Sequence, residues 1–328
     1  MLRSAPVASA FAAPASVQAG ELRRLSFPAL GTTCEVQYVP PGDPRRREAF
    51  EHAVVDWVQN FENRYSRFRP TSLVSRINSA AGVEWVAVDA EMEQMLALCD
   101  AVYGMTDGVL DPTILPLMQL WNWKAERPVV PSAGEIARAR ELVGWPKVQR
   151  MPGRIFLPRP GMALDFGGFG KEYAVDIVAQ IALNHGIAHV LVDFGHDLRA
   201  FGHPPGRPAW HLGLEDPAKP GHCQSSIAIT GGKGVASSGD YLRCFHAGGR
   251  RYGHIVDPRT GCPVGNGCLQ ATIVADSCLQ AGVLSTSAFV LGVPRALDYI
   301  QGFPQVEGML VTDTSRAQTR GFHHYAAA

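Results

Sequence analysis

Apolar residues recur at helical spacing in several stretches of this 328-residue chain. Phe50, Val54, Trp57, Val58 and Phe61 share one face of a helix that Asp43 caps and Pro44 begins. Asp89 opens a second helix, with Met92, Met95, Leu96, Cys99 and Val102 inward. Ser132 and Glu135 have the spacing of a capping box for a third, which Gly144 closes. A fourth begins within GGFGKEYAVDIVAQIALNHG, with Phe169, Tyr173, Ile177, Val178 and Ile181 as its apolar side, and a last long helix runs from about Leu279 to Leu291. Strand patterning appears in Leu22, Leu25 and Phe27, then Cys34, Val36 and Tyr38, which predict a strand broken by a turn over Pro28 to Thr33. The run His189 to Phe194 predicts a buried strand. Others are expected near Trp210 to Leu214 and Ser226 to Ile229, with a closing strand over Gln305 to Thr312. Helices and strands mix without βαβ alternation, which makes the fold class α+β.

Composition narrows the class. With 46% hydrophobic residues the chain buries a large core, as one domain or two intimate lobes. Thirty basic residues balance thirty acidic ones, so charge gives no reason to expect a nucleic-acid partner. No run is long and apolar enough for a transmembrane segment. The seven cysteines are odd in number and none are spaced Cys-x-x-Cys. That argues against a disulfide framework or a zinc site and fits a reducing compartment. Residues 1–20 are alanine-rich and predict a disordered leader or a weak secretory signal, so cytoplasm and periplasm both stay open.

Four segments look chemical. DGVLDPTILPLMQLWNW (107–123) sets Asp111 in a turn before Pro112. LDFGGFGKEYAVD (164–176) has glycines and Lys171 where a loop becomes a helix. Bare amides at a helix start bind phosphate, and a lysine adds a point charge, although tight packing alone also explains such glycines. It is neither a Walker loop nor GxGxxG. GVASSGDYLRCF (234–245) precedes GGRRYGHIVDPRTGCPV (248–264), where His254, Asp257, Arg259 and Thr260 crowd together. A histidine beside a carboxylate serves as a general base, with the Asp orienting the ring or the substrate. ATIVADSCLQAGVLSTSAFVLG (271–292) reads as a helix of small residues carrying Ser285 and Thr286.

Together with Ala29–Thr32 and SRFRPTSLVSRIN (66–78), and in this order, these segments resemble the FAD:protein FMN transferase family, the flavin transferases first tied to thiamine biosynthesis. The resemblance implies two intimately packed mixed α/β lobes with the flavin nucleotide in the cleft between them, residues 21–328 forming one such domain. It implies Mg2+-dependent transfer of FMN from FAD to a threonine or serine of a target flavoprotein, with AMP leaving. Flavin and adenosine contacts fall at Leu30, Phe68, Val109, Leu110 and Asp111. Gly167, Lys171, Tyr173 and Ile255 fall on the pyrophosphate side, with Asp240 nearby. His254 with Asp257 is the catalytic pair, and Gly170 and Thr286 are metal ligands.

The chain also departs from the family pattern. Gly282 stands where an Asp usually ligates the metal, Glu172 where a glycine is common, and Gly195-His196-Asp197 where a double glycine is usual. Losing an anionic oxygen weakens Mg2+ binding, for which Asp165, Asp193, Asp197 and Asp276 are candidate replacements. Two other functions therefore stand beside the transferase: a non-catalytic FAD-binding homologue, and an FAD pyrophosphatase giving FMN and AMP.

Overall fold

The computed structural model describes residues 21–327, so the leader expected over residues 1–20 lies outside them. Strands β1 (Arg23–Ala29) and β2 (Thr32–Tyr38) form a hairpin. Its turn is only Leu30 and Gly31, at φ of 54° and 72°. Such mirror-image turns match the twist of the strands, so Pro28 and Thr33 pair across the ladder instead of bending the chain.

Helix α1 (Pro44–Tyr65) is capped by Asp43, as expected, and buries Phe50, Val54, Val55, Val58 and Phe61, while Trp57 is half-buried. Helix α2 (Leu73–Ser79), capped by Ser72, is too short to show a period in sequence. Then come β3 (Val86–Ala87), α3 (Ala90–Met105), α4 (Leu115–Leu120) and α5 (Ala133–Glu141). The Ser132–Glu135 box forms, but α5 ends at Glu141 and Gly144 lies beyond its cap. Short strands β4 (Gln149–Met151) and β5 (Arg154–Phe156) pair with each other, and β5 pairs with β3 on its other side.

Helix α6 (Gly170–Asn184) buries Ala174, Val175, Val178, Ala179 and Ala182. Tyr173, Ile177 and Ile181 are only half-buried, because the small residues, not the large ones, face the core. The chain continues through β6 (Val190–Phe194), β7 (Asp197–Phe201), β8 (Trp210–Glu215), β9 (Cys223–Ile229) and β10 (Gly234–Gly239). Two small hairpins follow, β11 (Cys244–Ala247) with β12 (Arg250–Gly253), and β13 (Val256–Asp257) with β14 (Cys262–Pro263). Residues 271–292 are not helical throughout. Ala271–Ala275 ends strand β15 (Cys268–Ala275), and α7 (Cys278–Leu291) starts only after the Ser277 cap. The β-branched run Thr272–Val274 suits a strand buried on both faces. Helix α8 (Arg295–Gln301), β16 (Glu307–Thr312) and β17 (Arg316–Gln318) complete the elements, so the strand expected last is followed by one more.

Eight strands form one antiparallel sheet in the order β1-β2-β6-β7-β10-β15-β16-β17. Side chains alternate across it. Val190, Val192 and Phe194 join α1 and α6 on one face, while Leu191 meets the β8–β9 hairpin on the other. Helices α7 and α8 continue the helical layer over β15 and β16. This is the α+β class the patterning predicts. No described helix is long and apolar enough to cross a membrane.

Asp176 locks α6 to the start of α7. Its carboxylate accepts from Cys278 N and Leu279 N, each at 2.9 Å, and from Arg199 Nη1 at 2.9 Å. Replacing it (D176N) leaves part of this set unmade and is expected to lower stability by about 2 kcal/mol, measured by urea unfolding. A change under about 0.5 kcal/mol would show that α7 docks without this anchor.

Candidate active site

A cavity of about 960 Å³ opens between the sheet and the loops before α6 and α4. That is the upper range for small-molecule pockets. Its wall includes Phe68, Val109, Leu110, Asp111, Gly167, Lys171, His254, Ile255 and Thr286, residues drawn from five separate segments of the chain.

The Asp111 loop is held from within. Asp111 accepts from Thr113 N at 2.8 Å, Thr113 Oγ1 at 2.6 Å and Trp145 N at 3.0 Å. With three donors satisfied, its carboxylate orders the loop that presents Val109 and Leu110. Phe68, 75% exposed, also lines the cavity. The Arg67 guanidinium lies 3.9 Å from the Phe68 ring centre and donates to Asp165 at 2.8 Å. Asp165 in turn accepts from Gly167 N at 2.8 Å, so its oxygens serve the glycine turn.

Helix α6 begins against the cavity with no side chain capping it, unlike α1, α2, α3, α5 and α7. Its first amides and dipole favour an anion there. Lys171 donates to Phe194 O at 3.0 Å, pairs with Asp197, and lies 3.6 Å from Glu172 Oε1. Glu172 is buried, and its Oε2 has no hydrogen-bond partner. The Thr286 hydroxyl is bonded to Ser238 Oγ at 2.9 Å, which also meets Ser285 Oγ at 2.8 Å.

On the third side His254 follows hairpin β11–β12, its N–H bonded to Arg243 O at 2.9 Å. Its ring packs 6.1 Å from Trp123, and Nδ1 is buried without a partner. Burial and the nearby Arg243 charge push the imidazole down to about 4, so it is neutral near pH 7. The pairing of His254 with Asp257 does not form. The Asp257 carboxylate is taken by Arg259, whose backbone N and Nε both reach it at 2.9 Å, because the tight Asp-Pro-Arg turn folds them together.

Other expected residues lie away from the cavity wall. Leu30 sits in the β1–β2 turn. Tyr173 is about 100° round α6 from Glu172 and packs on Trp57 and Phe61 at 6.4 and 5.9 Å. Gly170 is buried in the first turn of α6, beside Phe166 and Phe61. Asp240 is buried and paired with Arg251 at 2.9 Å; burial raises its carboxyl above the usual range. Of the candidate replacement carboxylates, Asp165 serves Arg67, Asp197 serves Lys171, and Asp276 pairs with Lys233 outside the cavity wall. Asp193 lines the cavity and accepts from His196 N at 2.8 Å; burial raises it too. Arg243 and Ser238 also line the cavity, places that residue type and spacing do not show because they depend on contacts between elements.

Comparison with known proteins agrees with this architecture. The model of the ApbE family matches residues 30–310. The FAD:protein FMN transferase of Vibrio cholerae is 28% identical over 252 residues, covering 76% of this chain and 75% of that protein. The crystal structure of the ApbE protein from Thermotoga maritima superposes with a TM-score of 0.84 at 29% identity, over 94% of this chain and 100% of that one. The flavin transferase ApbE from Vibrio cholerae gives 0.82 at 26% identity, over 93% and 99%.

Proposed function

Because the chain belongs to the ApbE family, we propose that it moves the FMN half of FAD onto a threonine or serine hydroxyl of a partner flavoprotein and releases AMP. The observation that carries this reading is the single cavity lined by Phe68, Val109–Asp111, Gly167, Lys171, His254 and Thr286, side chains far apart in sequence. On this reading residues 21–328 act as one transferase domain with two lobes around the cleft.

The exposed Phe68 ring and the apolar Val109 and Leu110 suit a flat aromatic ring system. The uncapped start of α6 with Lys171 suits the pyrophosphate. The acceptor hydroxyl attacks the FMN phosphorus and gives its proton to His254. The bond from that phosphorus to the bridging oxygen breaks, and the oxygen leaves on AMP. His254 is neutral near pH 7 and so starts able to take that proton.

Mg2+ is part of the proposal. Among the described residues no three His, Cys, Asp or Glu side chains form a cation cluster. Mg2+ needs no such cage, since it is held by one or two carboxylates together with substrate phosphates and water. Thr286 and Glu172 both line the cavity, and the Thr286 hydroxyl and the buried, unpaired Glu172 Oε2 are oxygen donors of the kind that suits it. When bound, the ion spreads the charge on the pyrophosphate.

Incubation with FAD, Mg2+ and a threonine-containing acceptor domain, followed by mass spectrometry, tests the reading. An acceptor carrying FMN in phosphoester linkage, with AMP released in equal amount, is the expected result. Intact bound FAD with no adduct would replace this reading with flavin storage. Free FMN and AMP without an adduct would replace it with pyrophosphate hydrolysis.

A further inference from the structure

Helices α6 and α7 meet where Glu172, which lines the cavity, lies against the buried Gly282. A Cβ built on Gly282 would lie 2.5 Å from Glu172 Cγ and 3.1 Å from its Cδ. The Glu172 carboxyl therefore occupies the space that a side chain on α7 would fill. Gly282 is what lets it lie there.

That carboxyl is left incomplete by the protein. Glu172 is 8% exposed, and Oε2 has no hydrogen-bond partner. Oε1 is 3.6 Å from Lys171 Nζ, but Lys171 is already paired with Asp197 and donates to Phe194 O. One ammonium thus faces two carboxylates, and one negative charge has no counter-ion among them. A buried carboxylate oxygen without a partner is costly unless something else completes it. Thr286 is one helical turn beyond Gly282, so its hydroxyl and the space above Gly282 share a face. Ser238 Oγ, 2.9 Å from Thr286 Oγ1, holds that hydroxyl.

We infer that Glu172 is the carboxylate ligand of the divalent cation that accompanies FAD, reaching from α6 into the space left open by Gly282, with the Thr286 hydroxyl beside it. This inference rests on the transferase reading above for the presence of FAD and its cation. A hard anionic oxygen and a hydroxyl suit Mg2+ or Mn2+, with phosphate and water completing the shell. The carboxylate expected on α7 is thus supplied from the neighbouring helix, and the Glu172 and Gly282 departures form one compensating pair.

Mn2+ titration in the presence of ADP, whose diphosphate stands in for that of FAD, reads this by the electron paramagnetic resonance of free Mn2+ once the Mn2+ bound by the same ADP without protein is subtracted. E172Q is expected to bind Mn2+ about tenfold to hundredfold more weakly than the parent. Without metal it should melt no lower than the parent, because the amide fills the same space without an unpaired charge. The exchanged variant E172G/G282D, which carries the carboxylate on α7, should regain the lost affinity. Unchanged Mn2+ binding in E172Q, or a folded E172G/G282D that regains none, overturns the assignment. A marked loss of melting temperature in metal-free E172Q would assign Glu172 a structural role instead. FMN transfer assayed in parallel separates the two readings. A parent that transfers FMN while E172Q keeps its Mn2+ affinity sinks the ligand alone. Loss of Mn2+ binding in E172Q with no transfer by the parent supports the ligand and sinks the transferase.

Discussion

Replacing His254 with alanine is expected to slow FMN transfer by about 10²- to 10⁴-fold in kcat, the usual worth of a positioned general base. The acceptor hydroxyl is a poor nucleophile until its proton has somewhere to go. Among the titratable side chains on the cavity wall, His254 is the imidazole with an unpaired buried nitrogen. Its pKa of about 4 makes the prediction sharper. A histidine at its ordinary value would give kcat/KM a falling limb near pH 6.5. This one is already neutral there, so kcat/KM should stay flat from about pH 8 down to about pH 5.5. Stability carries the same signature. The folded pKa lies below the unfolded one, so the unfolded chain binds the extra proton between about pH 6.5 and 4. The His254 contribution is intact above that window and declines as pH falls through it, by about 3 kcal/mol in all. H254A should lose this part of the acid sensitivity along with its activity. A variant that transfers FMN at the parental rate would remove His254 from the reaction.

The fold was legible wherever local chemistry decides it. Asp43, Asp89 and Ser132 cap their helices because a short polar side chain reaches free amides within one turn, and that information is local. On α6 the hydrophobic period alone does not say that alanines pack inward and leave Tyr173 to an aromatic cluster. Strands of two to four residues, such as β13 and β14, are too short to carry a period at all. Residues 271–292 hid a strand-to-helix change because strand and helix there are both apolar.

The cavity was legible in its parts. Motif residues from five segments fall on one wall. Their partners were not, because partnership is a tertiary fact. Asp257 sits three residues from His254 yet binds Arg259. Glu172 and Gly282 stand far apart in sequence, and each alone reads as a departure. Only their contact gives the pair a meaning, since a side chain on one helix fills the gap on the other.

Lys171→Met is expected to destabilise the fold by about 3 kcal/mol, measured by urea unfolding without ligand. Lys171 is the shared partner of Asp197, Glu172 and the Phe194 carbonyl, and the Asp197 and Glu172 side chains are each only 11% exposed. Deleting the ammonium leaves two carboxylates close together in a medium that solvates neither well. Asp197→Asn in the same chain should restore most of the loss, because one charge then remains where there were two. A double-mutant cycle isolates that coupling. FAD binding separates this structural duty from the functional one. K171M/D197N should fold nearly as well as the parent yet hold FAD at least about tenfold more weakly, since the cation beside the uncapped start of α6 is gone. If K171M is as stable as the parent, the ion cluster carries no weight in the fold. If the double variant keeps full FAD affinity, the pyrophosphate lies elsewhere in the cavity and Lys171 serves only to balance Asp197.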